Sequence, residues 1–128
     1  MQSVKLFLSL GAINAGLAVL LGAFGAHALK TRLTQEMLNV YQTGVHYHFY
    51  HALGLILTGI LLQVLPASSL IKSAGWCMVA GIILFSGSLY LLSIYGFKWL
   101  GPVTPLGGTA FIVAWILLFT GIIRSSIP

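Results

Sequence analysis

Residues Val4–Ala26 read VKLFLSLGAINAGLAVLLGAFGA, with no charge after Lys5. Three more stretches of the same kind follow, Val45–Leu65, Ser73–Tyr95 and Thr104–Ile123, and none has Lys, Arg, Asp or Glu in its interior. Each is close to the roughly 20 residues that an α-helix needs to cross a hydrocarbon core about 30 Å thick. Lipid offers the backbone no hydrogen-bonding partner, so a spanning segment must satisfy itself as a helix. Only 5% of the 128 residues are charged, Glu36 is the sole acidic one, and 59% are hydrophobic. A soluble domain carries about 25% charge, and a soluble fold of this size has no way to hide so much apolar surface. The expected fold is all-α and integral to the membrane, with four transmembrane helices in a compact bundle. The connections are too short for a separate soluble unit, so residues 1–128 are expected to form a single domain whose first partner is the lipid bilayer.

The formal charge of +5 comes from six basic residues scattered singly at the ends of the apolar stretches. There they can snorkel to anionic headgroups, and they form no patch for nucleic acid. Cys77 is the only cysteine, so no intrachain disulfide can form. The N-terminus imitates a cleavable signal, with Ala26-His27-Ala28 as a small-x-small site. Its apolar run exceeds the 7–15 residues of a signal core and contains Asn14, so this helix is expected to stay. Four crossings put both termini and the Pro66–Lys72 turn on one side, A. The opposite side, B, holds the Ala28–Gly44 segment and the Phe97–Pro105 connection. Lys5, Lys72 and Arg124 on side A balance Lys30, Arg32 and Lys98 on side B, which leaves the positive-inside rule without a direction.

Gly11, Ala15, Ala18, Gly22 and Gly25 are spaced alternately four and three apart, a single seam on the first helix. Gly107, Ala110, Ala114 and Gly121 mark a similar stripe on the fourth. Small residues let helix backbones approach within lipid, and the two stripes are expected to pack on each other. Asn14 lies beside the first seam and needs a partner on a neighbouring helix, because an unpaired amide in hydrocarbon is costly. Between the first two spans, Leu33, Met37, Val40 and Tyr41 recur at helical spacing among polar residues. This pattern predicts a short amphipathic surface helix starting near Thr34 and bending at Gly44 into the second span.

The densest polar cluster is His46-Tyr47-His48-Phe49-Tyr50-His51, at the start of the second apolar stretch. At 100° per residue, Tyr47, His48 and His51 share a face with Gly44, Gly54 and Thr58, while His46 points away toward the headgroups. Tyr47, His48, His51 and Thr58 are therefore expected to look into the bundle. Tyr90 and Thr104 approach the same end by chain direction and complete the candidate binding residues. A metal or haem site is one use of this cluster, with His48, His51 and His27 as candidate ligands. Zinc commonly takes four protein ligands, however, and no carboxylate is at hand. A proton relay through His48 or His51 is another use. A pocket for a lipid or quinone headgroup is a third. The bland alternative is that these rings only hydrogen-bond between helices or line the interface. Ser86 and Ser88 fall on opposite sides of the third helix and are expected to bond their own backbone. Trp76 and Trp99 read as belt anchors.

Four blocks carry a family resemblance: Gly22–Leu29 (GAFGAHAL), Tyr47–Leu53 (YHFYHAL), Phe85–Tyr90 (FSGSLY) and Thr104–Gly108 (TPLGG). In this order they resemble the small membrane proteins grouped as domain of unknown function 423, which include the eukaryotic transmembrane protein 256. The resemblance covers nearly the whole chain. It implies a four-span, multi-pass protein of the bacterial cytoplasmic (inner) membrane, and it implies no activity, substrate or cofactor. No nucleophile–base pair or complete metal set is visible, which places an enzyme behind other readings. The leading reading is a non-catalytic membrane component that binds a small amphiphile, a lipid or quinone, or else a partner membrane protein or second copy, through side B. Behind it stand a small proton-coupled transporter using His48 or His51, and a haem- or metal-binding membrane subunit.

Overall fold

A computed structural model describes residues 1–127. Helix α1 is Gln2–Phe24 and runs on through a π-turn, Gly25–Leu29. Helix α2 is Gln35–Val64. Helix α3, Ser69–Gly81, continues through a second π-turn, Ile82–Ser86, into α4, Gly87–Tyr95. A single 3₁₀ turn, Lys98–Leu100, leads to α5, Val103–Arg124. Among the described residues there are four rods long and apolar enough to span a membrane, Gln2–Leu29, Gln35–Val64, Ser69–Tyr95 and Lys98–Arg124.

Local chemistry sets the ends. Thr34 is extended, and its hydroxyl accepts the Met37 N–H at 3.2 Å. Glu36 follows in the first turn, where the helix dipole favours an acid. Ser68 caps α3 in the same way through the Ile71 N–H. Gly96 closes α4 with φ +71° and returns its N–H to the Leu92 carbonyl, a left-handed cap that suits a residue without Cβ.

The expected separate surface helix is not seen. The amphipathic segment starts at Thr34, as its cap residue predicts, but it forms the first turns of an unbroken α2. Gly44 is small for a different reason than bending: a Cβ there would press on the Tyr90 ring and Leu89, so the glycine lets α4 approach. One consequence is depth. His48 stands thirteen residues into α2, about 20 Å along the axis, rather than at a helix start.

The pairing of stripes also differs from expectation. Helix α1 packs chiefly on α2, and α5 packs on α3 and its π-turn. Gly11 lies against Ile56 and Ala52, Gly25 against the Tyr41 ring, and Gly59 of α2 receives Leu8. On the other side Gly121 meets Ile71, Gly81 receives the Phe111 ring, and Gly107 backs onto the Leu84–Phe85 backbone. A small-residue stripe specifies close approach but not which helix approaches. The short Leu29–Gln35 connection makes α1 and α2 neighbours, and bulky side chains on α2 fill what the α1 glycines leave open.

The main core gathers Phe7, Leu55, Ile71, Ala74, Met78, Ile82, Phe111, Ala114 and Leu118. A smaller one holds Leu29, Leu38 and Tyr41 beneath the side-B connection. There the Tyr41 hydroxyl donates to the Leu21 carbonyl at 2.5 Å, next to the first π-turn.

Candidate functional site

Helix α2 turns His48, His51 and Thr58 inward; they are 5%, 4% and 0% exposed. His46 is exposed, as its facing predicts. Tyr47 departs from expectation: it is 41% exposed, at the rim of the bundle. The 100° projection groups it with the inner face, yet its neighbours there, Phe85 of the second π-turn and Phe111 of α5, leave the ring partly open along a groove. Thr58 donates to the Gly54 carbonyl at 2.8 Å and faces neither groove described below.

His48 is the centre of a chain across three helices. Asn14 of α1 donates its amide N–H to the Leu10 carbonyl at 2.8 Å, which leaves Asn14 Oδ1 free to accept. His48 Nε2 lies 2.9 Å from that oxygen and therefore carries the hydrogen. His48 Nδ1 lies 2.9 Å from the Tyr90 hydroxyl of α4. With the imidazole neutral, Tyr90 donates to Nδ1. The expectation that Asn14 meets a neighbouring helix holds, and its partner is His48. Beside this chain Ser88 and Thr104 share a 2.7 Å hydrogen bond that ties α4 to the start of α5. Ser86 of the π-turn and Ser88 of α4 are both buried, because neighbours cover both sides of this rod. Ser88 bonds the Phe85 carbonyl as expected, whereas Ser86 Oγ has no hydrogen-bond partner among the described residues.

His51 has other company. Its Nδ1 lies 2.7 Å from the Tyr47 carbonyl, and its Nε2 accepts the indole N–H of Trp115 at 3.0 Å. Those partners fix a neutral ring with hydrogen on Nδ1. The imidazole stacks on Phe111, centroids 3.5 Å apart and 10° from parallel. This pair floors a groove of about 450 Å³ between α2, α5 and the second π-turn. Tyr47 and Phe85 form one wall, their rings 4.8 Å apart, and Trp115 and Thr109 line the other. A second groove, of similar size, opens between α1 and α4 and reaches Asn14, His48 and Tyr90.

The metal candidates do not come together. Among the described residues no three His, Cys, Asp or Glu side chains are placed to hold an ion. His27 is exposed on the first π-turn, and both nitrogens of His48 and of His51 already have partners.

Trp115, Phe111 and Phe85 belong to the groove and are absent from the sequence-derived candidates. Trp115 carried a readable signal. It stands mid-helix, away from the interfacial belt, with an N–H that needs a partner, and it shares a face with Gly108 and Phe111 at helical spacing.

Residues 21–108 match the model of a family described as "Protein of unknown function (DUF423)". The chain belongs to the DUF423 family. It is 51% identical to UPF0382 membrane protein YwdK of Bacillus subtilis over 121 residues, covering 94% of this chain and 98% of that one. It is 45% identical to UPF0382 membrane protein SAB0533 of Staphylococcus aureus, over 90% of this chain and 93% of that protein. A Staphylococcus saprophyticus relative, SSP2132, is 42% identical over 92% and 97% of the two chains. No solved structure matches. The DUF423 match takes in His48, His51 and Tyr90 and ends at Gly108, short of Trp115.

Proposed function

We propose that this DUF423 protein is a non-catalytic component of the bacterial cytoplasmic membrane that holds one small amphiphile in the groove between α2 and α5. One observation carries the reading: a buried, fully hydrogen-bonded histidine floors a lipid-facing groove whose rims, Tyr47 and Trp115, are 41% and 42% exposed. Concave sites with mostly apolar walls and a few placed polar groups are the usual form of ligand pockets. Preparation in mild detergent, organic extraction and mass spectrometry test it. One amphiphile should be enriched toward one per chain, and a bilayer-like mixture would refute the reading.

A second reading, proton carriage through His48, has its own observation. The Tyr90 hydroxyl can donate to Nδ1 or accept from it, so His48 can take a proton without losing a hydrogen bond. His51 cannot, because Trp115 offers only a donor. Imidazole nitrogen NMR should show His48 protonating before His51 as pH falls. The reverse order would exclude this reading.

A further inference from the structure

The α2/α5 groove also specifies the chemistry of its occupant. Its lining is aromatic and neutral, with Tyr47, His51, Phe85, Phe111 and Trp115 and no Lys, Arg, Asp or Glu. A phosphate or ammonium headgroup would find no counter-charge there, and burying an unpaired charge is expensive. Most of the polar atoms are already engaged. Both His51 nitrogens and the Trp115 N–H have partners, and the Thr109 hydroxyl donates to the Pro105 carbonyl at 2.9 Å. The Tyr47 hydroxyl has no hydrogen-bond partner among the described residues and is the side-chain donor left to a ligand.

The surfaces are flat. The Tyr47 ring lies within 14° of the His51 plane and 24° of the Phe111 plane, and the His51–Phe111 pair is itself parallel. Aromatic faces favour another flat ring, in offset or edge-on contact. Gly108 lines the slot and leaves it open: a Cβ there would meet the Phe85 ring at ordinary contact distance, 3.7 Å, and a longer side chain would extend into the groove. The opening faces lipid, where an apolar tail can remain in the bilayer.

We infer that the occupant is a quinone-type molecule: a flat, uncharged ring with a carbonyl that accepts from the Tyr47 hydroxyl, and an apolar tail. This rests on the amphiphile reading above and narrows it.

The test uses the full chain in phosphatidylglycerol–phosphatidylcholine nanodiscs, with Trp76→Phe and Trp99→Phe so that Trp115 is the remaining indole. Both replaced tryptophans lie outside the groove. Titration with decyl-ubiquinone should quench Trp115 fluorescence saturably. Tyr47→Phe should weaken the apparent affinity roughly five-fold, the value of one hydrogen bond near 1 kcal/mol. Gly108→Leu should abolish the saturable component while the melting temperature stays near that of the parent. Quenching that only rises linearly, as for quinone dissolved in the bilayer, overturns the inference. So does saturable quenching indifferent to both groove variants. If an extracted phospholipid is enriched on the chain and quinone does not displace it, the quinone assignment falls and the amphiphile reading survives. If nothing is enriched and no quenching saturates, both fall.

Discussion

His48 and His51 stand one turn apart on the same face of α2 and are equally buried, yet they belong to different chemistries. His48 joins three helices through amphoteric or accepting partners, Tyr90 and Asn14. His51 is held between a carbonyl and an indole N–H, each with one possible role, and presents its ring to an aromatic floor. Burial and residue type are the same, so the donor or acceptor character of the partners makes the difference. His48 binds helices together, and His51 floors the α2/α5 groove.

Truncation should break the comparison most sharply. His48→Ala leaves the Asn14 oxygen and the Tyr90 hydroxyl unpartnered and opens a void, at a cost of about 2–4 kcal/mol. His51→Ala frees an indole N–H at a half-exposed rim and should cost about 1–2 kcal/mol, while enlarging the groove. Thermal unfolding in detergent measures both, and equal losses would mean that the three-helix chain adds nothing. The smallest effect sharpens the contrast. His46 is exposed, so His46→Ala should change stability by no more than about 0.5 kcal/mol. A loss matching that of His48→Ala would show that the facing of α2 is misassigned.

Much of the architecture was legible. Apolar length gave the four rods, Thr34 gave the start of α2, and the 100° projection separated His46 from His48 and His51. Three things were not. The amphipathic pattern before Gly44 has the same period whether it forms a separate helix or the first turns of α2, so the pattern does not decide between them. The glycine stripes state that a helix comes close without saying which one. Tyr47 lies within the inward arc, but its exposure depends on whether a neighbour covers that arc, which is a property of the assembled bundle. In the groove, Trp115 and Phe111 escaped because an apolar helix disguises its one indole N–H, whereas the histidines advertise themselves.

The π-turn at Ile82–Ser86 has a consequence for how this protein can change. It sits where one rod serves two clients. Before it, Gly75 and Trp76 of α3 meet Phe7; after it, Tyr90 of α4 meets His48. A wide turn holds one residue more than the α-helical turn it replaces, and each residue is worth about 100° of rotation. The extra residue acts as a phase shifter between two halves of a single shaft. A chain that lost one residue there would regain a plain helix and rotate one half against the other, so it could keep its grip on Phe7 or on His48, but not on both.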